Sequence, residues 1–209
     1  MQSIIWDWNG TLLNDLDLCI SSINTLLEKR NLKKLNPDIY KEVFSFPVKD
    51  YYEAIGFDFT REDFAIPAKE FIDIYNNGVS SCGLHIEAIP VLNYFKSVRK
   101  RQFVLSAMKQ DMLLATLKHQ KIFDFFEGVF GLDDHYAVSK IERGEQLFSE
   151  YGIKKDSSVI IGDTIHDFEV AQELGISCIL VSNGHQSKQR LRATGAPIVS
   201  SLEELVEMI

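Results

Sequence analysis

The sequence predicts an α/β fold in which a parallel sheet is covered by helices and carries an inserted, all-helical cap. Short apolar segments rich in strand formers alternate with segments of helical spacing. A long block of purely helical pattern follows the first strand candidate. Repeated strand–helix units form parallel sheets with both faces covered, so the helical block is expected to lie beside the sheet as a lid.

The predicted strands are short and apolar. The first covers residues 3–8 and stops at Asn9-Gly10, a pair that breaks regular structure. Further segments of the same character return after the helical block, with helical spacing between them. They cover residues 103–106, 128–130, 158–161 and 178–181. This alternation is typical of a parallel sheet.

The first predicted helix covers residues 12–32, where apolar side chains recur at helical intervals. Asn14 and Asp15 are its candidate N-caps. Residues 36–81 then contain helical patterns without a strand candidate between them. These patterns cover residues 37–44, 49–55 and 61–77.

The chain therefore divides into a core and a cap. Its 209 residues, 45% of them hydrophobic and 25% charged, suffice for one sizeable core with a small inserted module. We predict a core formed by residues 1–14 and 82–209, with the cap at residues 15–81.

The charge balance is acidic, with 30 acidic against 22 basic residues and a formal net charge of -8. This excess argues against nucleic acid as a partner, because phosphate backbones are held by positive charge. Residues 1–10 show neither a basic leader nor an apolar run, and no window reaches the roughly 18 apolar residues that span a bilayer. We expect a cytoplasmic protein without a membrane partner, as a monomer or weak dimer.

Side chains that could take part in catalysis or metal binding follow the ends of the predicted strands. In open parallel sheets, ligands bind beyond the carboxyl ends of the strands. Residues 7–11 follow the first strand, and the other candidates follow later strands or open a helix between them. In chain order these candidates are Asp7, Asn9, Thr11, Ser106, Ala107, Lys140, Asp163 and Asp167.

Three of these residues are carboxylates, Asp7, Asp163 and Asp167, and they would repel one another in dry surroundings unless a cation neutralised them. Mg²⁺ suits such a sparse oxygen site, because it keeps several waters and takes phosphate oxygens. Lys140 and nearby hydroxyls suit a phosphoryl group. Asp7 is the candidate nucleophile that could carry a covalent phosphate. A small phosphorylated metabolite is thus the expected substrate.

At these positions the sequence resembles the haloacid dehalogenase-like hydrolases, and among them the phosphoglycolate phosphatase-like members with a helical cap. The resemblance covers nearly the whole chain. Residues 7–11 match the family's first motif, Asp-x-Asp-x-Thr, except at its third position. Ser106 looks like the second motif, Lys140 like the third, and residues 162–167 match the Gly-Asp-x-x-x-Asp of the fourth.

The resemblance implies a Rossmann-like core with a cap inserted after the first motif. It also implies that Asp7 is the nucleophile and that Mg²⁺ is held by Asp7, the backbone carbonyl of Asn9 and Asp163. Asp167 would support the metal or its waters. Thr11, Ser106, Ala107 and Lys140 would then surround the phosphoryl group.

Asn9 departs from the family pattern. The phosphatases of the family normally carry a second Asp there, which protonates the leaving group and then activates water. An amide can do neither, and losing a positioned acid/base costs roughly 10²- to 10⁴-fold in rate. Three explanations stay open: leaving groups that need no protonation, a substitute base such as His166, Asp15 or a substrate group, or a protein that binds phosphate without turnover.

Other interpretations of these motifs remain. Asn9-Gly10 is also a hairpin signal, although a helical pattern follows it instead of a second strand. The Gly162-Asp163 segment is also a common helix start. A metal-free dehalogenase would suit Asn9, but it would leave Asp163 and Asp167 without a role.

The cap and the segment after the last long strand contribute further candidates. Lys49 is a possible substrate anchor, and His185 follows the last long strand and could reach the rim of the site. The aromatic cap residues could line a substrate pocket, although their helical spacing favours the core of the cap. They are Phe44, Phe46, Tyr51, Tyr52, Phe57 and Phe59.

Overall fold

A computed structural model of the chain describes residues 1–132 and 139–209. Its strands and helices form an α/β core with a helical insertion. The strands are β1 (Ser3–Trp6), β2 (Leu13–Asn14), β3 (Gly83–Leu84), β4 (Arg101–Lys109), β5 (Gly128–Leu132), β6 (Ser158–Gly162), β7 (Ser177–Val181) and β8 (Ile198–Val199). The helices are α1 (Leu16–Lys29), α2 (Pro37–Val43), α3 (Val48–Ala54), α4 (Ala65–Gly78), α5 (Ala88–Ser97), α6 (Gln110–His119), α7 (Lys140–Tyr151), α8 (Ile165–Leu174), α9 (Lys188–Leu191) and α10 (Leu205–Met208).

The core sheet is parallel and has the order β5-β4-β1-β6-β7-β8. Strand β1 lies in its interior, where Ile5 pairs with Phe103 on one side and Ile160 on the other. Side chains of β1 alternate between two apolar clusters, with Ile4 and Trp6 in one and Ile5 in the other. Because both faces are buried, the strand is apolar throughout, as a covered parallel sheet requires.

The helical cap consists of α1 to α4. Its helices pack through aromatic and aliphatic side chains and are held at one edge by Arg30, which forms ion pairs with Glu62 at 2.7 Å and Glu70 at 3.0 Å. The cap cysteine Cys19, like Cys82 and Cys178 of the core, is a free thiol. This confirms the predicted helical insertion.

The first predicted helix starts later than its pattern suggested. Residues 13–14 form β2 and pair antiparallel with β3, so α1 begins at Leu16. The sequence missed this ribbon because two-residue strands leave no periodicity. The ribbon joins the two connections between core and cap, and it lies beside the predicted boundaries at 14/15 and 81/82.

The long predicted strands are confirmed, and the differences lie at their ends. The second extends to Lys109 instead of stopping at residue 106, and β8 was missed because it contains only two residues. Within the described ranges, no helix combines the length and apolar character needed to cross a bilayer.

Candidate active site

Three loops at the carboxyl edge of the sheet bring the catalytic candidates together. The backbone N–H of Asp7 still donates to the Ile161 carbonyl at 2.8 Å, which holds Asp7 directly beyond β1. Thr164 caps α8 and forms a reciprocal capping box with Asp167, which folds the Asp167 carboxylate back over the loop. Lys140 opens α7 behind an N-cap of the same kind at Ser139.

Lys140 lies between two of the carboxylates. Its Nζ donates to Asp7 Oδ1 and to Asp167 Oδ1, each at 2.6 Å, and all three side chains are buried. Asp163 completes the group, since Asp7, Asp163 and Asp167 offer oxygen atoms that lie within 4.8 Å of one another. The fold therefore brings together the acids that the sequence placed on separate strand ends.

One ammonium group does not balance three buried carboxylates. Burial raises the pKa of Asp7 well above its ordinary value; Lys140 opposes this rise, and the charges of Asp167 and Asp163 add to it. Asp167 behaves differently: burial favours a higher pKa, but Lys140 outweighs it and lowers the pKa below the ordinary value. A further cation is needed to keep the whole set ionised, and an oxygen-only donor set fits Mg²⁺.

Asp163 is fixed by two hydrogen bonds. Thr11 Oγ1 donates to its Oδ1 at 3.1 Å, and the backbone N–H of His185 donates to its Oδ2 at 2.6 Å. Thr11 is fully buried, so its hydroxyl positions Asp163. Gly10 has φ +71°, and a Cβ there would lie 2.4 Å from Asp163 Oδ2, so this turn requires glycine.

Asn9 belongs to a second polar cluster beside the carboxylates. Its Nδ2 donates to Asp15 Oδ2 at 2.8 Å and to the Tyr75 hydroxyl at 2.7 Å, while Tyr75 donates to Asp15 at 2.6 Å. Asp15 also accepts from the backbone of Gly10 at 2.9 Å and faces His185 Nε2 at 3.2 Å. Asp15 is the N-cap residue of α1, and it was one of the two predicted candidates. Its carboxylate accepts hydrogen bonds within this cluster and makes no capping bond to the helix.

Asp15 and His185 form a buried ion pair at neutral pH. Burial favours a higher pKa for Asp15, but His185 and the other donors outweigh it and lower that pKa to about 2. Burial likewise favours a lower pKa for His185, but the Asp15 carboxylate raises it to about 9. The Cys19 thiol adds a weaker contact to Asp15 at 3.7 Å. His185, expected at the rim, thus lies inside the site.

A cavity of about 220 Å³ opens over these two clusters, between cap and core. Asp7, Lys140 and Ala107 line its catalytic end. Most of the remaining wall is aromatic or aliphatic. It includes Tyr40, Phe44, Phe46, Val48, Tyr51, Tyr52, Phe71, Ile72, Tyr75, Met108 and Met112.

Of two further candidates, Ser106 is buried at the end of the sheet and His166 lines the cavity. The Oγ of Ser106 accepts a hydrogen bond from the Met108 backbone at 3.1 Å. The ring of His166 lies 4.7 Å from that of Phe46, and its Nδ1 lies 3.5 Å from Glu169. Burial, aided by Lys140, lowers the pKa of His166, so it is neutral at pH 7.

Lys49 is not brought to this site. Its Nζ lies 5.8 Å from the centroid of the Phe59 ring, and both residues line a separate shallow hollow that includes Phe57. Lys49 is exposed in the first turn of α3 and does not line the cavity over Asp7.

Sequence reasoning missed Tyr40 and Tyr75. The Tyr40 hydroxyl and His185 Nδ1 are hydrogen-bonded at 3.1 Å, and the Tyr75 hydroxyl donates to the Asp15 carboxylate. Both come from cap helices that are remote in sequence from the catalytic loops. Their helical positions gave no signal for this role, since an aromatic residue on an apolar face normally packs in a core.

The cap is fastened to the loop after β7. Gln186 Nε2 donates to the Phe44 carbonyl at 2.9 Å, and Arg190 donates to the carbonyls of Phe44 and Lys41. The backbone N–H of Ser187 also donates to Lys41, at 3.3 Å. These bonds hold the end of α2 over the carboxylates.

Comparisons with known proteins find similarity along most of the chain. A 5'-nucleotidase of Pseudomonas aeruginosa is 25% identical over 200 residues, covering 91% of this chain and 87% of the relative. A phosphoglycolate phosphatase of Caulobacter vibrioides is 23% identical over 203 residues, covering 94% and 85%. A solved haloacid dehalogenase-like hydrolase from Streptococcus pneumoniae shares the fold, with a TM-score of 0.86, 18% identity, and coverage of 100% and 98%.

The family model for haloacid dehalogenase-like hydrolases matches residues 4–181. That span includes both acidic motifs, the lysine between them and the whole cap. The chain belongs to the haloacid dehalogenase-like hydrolase family.

Proposed function

We propose that this protein is a Mg²⁺-dependent phosphatase that hydrolyses a small phosphate monoester through an aspartyl-phosphate on Asp7. One observation carries the proposal: Asp7, Asp163 and Asp167 converge in a buried site, and Lys140 is the ammonium group between two of them. The phosphatase names of the relatives agree with it.

The residues present fit the metal. Asp7, Asp163 and the backbone carbonyl of Asn9 would hold Mg²⁺, and Asp167 would support it. When bound, the ion supplies positive charge to the carboxylates and the phosphoryl oxygens. Lys140 adds a fixed positive charge beside the nucleophile, which favours the ionised form of Asp7.

The reaction divides into two displacements at phosphorus. A carboxylate oxygen of Asp7 forms the new P–O bond as the ester P–O bond breaks, and the electron pair leaves with the alcohol oxygen. Water then attacks the phosphorus of the aspartyl-phosphate, which releases inorganic phosphate and restores Asp7. The seated cap limits water in the cavity and strengthens the charge interactions there.

Asn9 leaves the first displacement without the usual proton donor. Asp15 lies next to it, but its pKa of about 2 means that it carries no proton at neutral pH. The leaving group therefore departs without a proton from either residue. We infer slow turnover for esters whose alcohols need that proton.

Asn9 also favours a second candidate function, a protein of the same fold that binds phosphate and does not turn it over. Such a protein would bind orthophosphate in a Mg²⁺-dependent manner and hydrolyse no ester. Calorimetric titration with orthophosphate, set beside the hydrolysis assay, separates the two candidates.

The decisive experiment is hydrolysis of a panel of phosphate monoesters with and without Mg²⁺. Wild type should release phosphate only with the metal, and Asp7→Asn should lose at least about 10³-fold in rate. Asp17→Asn removes an exposed carboxylate from α1 and should keep the wild-type rate. Equal, metal-independent rates for wild type and Asp7→Asn would refute the proposal.

A further inference from the structure

Much of the cavity wall is aromatic. Phe44, Phe46, Tyr51 and Tyr52 line it from the cap, and Met112 lines it from the core. Their rings contact one another at centroid distances of 5.3 to 5.6 Å along the series Phe46, Phe44, Tyr51 and Tyr52. A wall of this kind favours a flat apolar group through burial and edge or face contacts with rings.

The cations in the described lining already have carboxylate partners. Lys140 bonds to Asp7, and Lys109 bonds to Asp111 at 2.9 Å. His185 also has a carboxylate partner, Asp15, and the uncharged imidazole of His166 lies beside Glu169. A second anionic group on the substrate, such as a carboxylate, would enter the cavity without a free positive partner among these residues, and unpaired charge is costly in dry surroundings.

The chemistry at position 9 adds an independent requirement. Asn9 cannot protonate a leaving oxygen, because its side chain is an amide. Both carboxylate oxygens of the adjacent Asp15 already accept hydrogen bonds, from Asn9, Gly10 and Tyr75. The alcohol must then depart as its anion, which is easiest for an acidic hydroxyl. A phenolic hydroxyl has a pKa of about 10, several units below that of an aliphatic alcohol.

We propose that the substrate is the phosphate ester of an uncharged aromatic alcohol with an acidic, phenol-type hydroxyl. This inference rests on the proposed function and specifies its substrate class. In the first step the Asp7 oxygen bonds to phosphorus while the bond from phosphorus to the aryl oxygen breaks. The electron pair leaves as phenolate, which takes a proton from water after release.

Three small esters test the two parts of the inference with Mg²⁺ present. Benzyl phosphate and 2-phosphoglycolate are both esters of primary alcohols, so their comparison isolates the aromatic and uncharged character of the group. Phenyl phosphate and benzyl phosphate differ in the acidity of the leaving hydroxyl. We expect kcat/KM to fall at least about tenfold from phenyl to benzyl phosphate, and at least about tenfold again to 2-phosphoglycolate.

The outcomes separate this inference from the proposed function. Mg²⁺-dependent hydrolysis in which 2-phosphoglycolate equals or exceeds benzyl phosphate, or in which benzyl equals phenyl phosphate, overturns the inference and leaves the phosphatase proposal standing. Absence of Mg²⁺-dependent turnover for all three esters, with Asp7→Asn equal to wild type, overturns both.

A charge introduced into the wall gives a second test. Phe46 is 37% exposed, so Phe46→Arg can be accommodated and would place a cation beside the ester. We expect it to lower the ratio of kcat/KM for benzyl phosphate to that for 2-phosphoglycolate by about tenfold. Ile66→Arg adds the same charge to an exposed site of α4 outside the described lining and should leave the ratio unchanged. An unchanged ratio in Phe46→Arg contradicts the role of the wall.

Discussion

The side-chain amide of Asn9 donates to the carboxylate of Asp15 at 2.8 Å, and the two residues form one complementary pair beside the nucleophile. Tyr75 closes the group, because its hydroxyl accepts from Asn9 and donates to Asp15. The amide at position 9 is therefore matched to a carboxylate six residues later. Replacing Asn9 with an acid would therefore set two carboxylates side by side, at positions 9 and 15.

Asn9→Asp should destabilise the protein. The substitution sets a second carboxylate against Asp15 in a partly buried site, and like charges there oppose ionisation of both. We expect the free energy of unfolding at pH 7 to fall by about 3 kcal/mol, measured by denaturant titration. Asn14→Asp places the same charge on an exposed neighbour and should change stability by less than about 0.5 kcal/mol.

Exchange of the two residues provides the matched rescue. The double variant Asn9→Asp/Asp15→Asn keeps one carboxylate and one amide, so it should recover most of the stability that Asn9→Asp loses. Equal stability of Asn9→Asp and wild type, or additive losses in the double variant, would contradict the pairing. Turnover measured in the exchanged variant also reports whether an acid at position 9 speeds release of aliphatic alcohols.

Asp7→Asn should uncouple stability from Mg²⁺. It removes one of three crowded carboxylates and leaves Lys140 bonded to Asp167 at 2.6 Å. Without metal, the melting temperature should equal or exceed that of wild type, because the pKa of Asp7 shows that its charge is disfavoured there. Added Mg²⁺ should raise the melting temperature of wild type and not of Asp7→Asn. An equal rise in both proteins would show that the metal binds elsewhere.

The Asp15–His185 pair should give stability a dependence on pH. The folded-state pKa of His185, about 9, exceeds its ordinary value of 6.5, so its stabilisation is fully present below pH 6.5 and is lost as pH rises through 9. Asp15, with a pKa of about 2, stays ionised over this range. Unfolding free energies at pH 6, 7.5 and 9 should fall in wild type and fall less in His185→Gln.

His119→Gln is the control for that series, because His119 is exposed on α6. It should follow the wild-type decline. If His185→Gln keeps the same decline as His119→Gln, the pair does not set the pH dependence.

Arg190→Ala should loosen the cap. The variant loses the bonds to the carbonyls of Lys41 and Phe44, which hold α2 over the site. We expect KM to rise up to about tenfold, since bonds from a charged donor contribute roughly 1.5–3 kcal/mol and Gln186 keeps part of the contact. Steady-state kinetics with the preferred ester measures this rise. Arg192→Ala, at an exposed neighbour, should leave KM unchanged, and an equal effect in both variants would contradict the role of Arg190.

The convergence of the candidate catalytic residues could be predicted from the sequence, because these residues follow strand ends. Asp7 and Asp163 stand directly after buried apolar strands, and Asp167 follows in the first turn of α8. The rules of parallel sheets bring such positions to one edge. Lys140 became a candidate through its order between the acidic motifs. Local pattern and topology were sufficient for this part of the site.

The polar cluster around Asp15 could not be predicted from the sequence in the same way. Tyr75 lies 60 residues from Asp15, and their hydrogen bond depends on how α4 packs against the core. The helical pattern predicts which face of α4 is buried and does not identify the partner of a buried hydroxyl. Lys49 was a candidate because of its charge near the start of a cap helix. Its Nζ lies over the Phe59 ring, outside the lining of the cavity, and local sequence gave no sign of that placement.

Two cap helices each direct a tyrosine hydroxyl to the buried Asp15–His185 pair, Tyr40 to His185 and Tyr75 to Asp15. A cap transplanted from another member of the family would keep the bond to His185 only if it carried a hydroxyl at the position of Tyr40. The cap of this protein therefore cannot be exchanged for another without regard to its contacts with the core. Engineers who wish to alter the ester it accepts should redesign the aromatic wall and retain these two tyrosines.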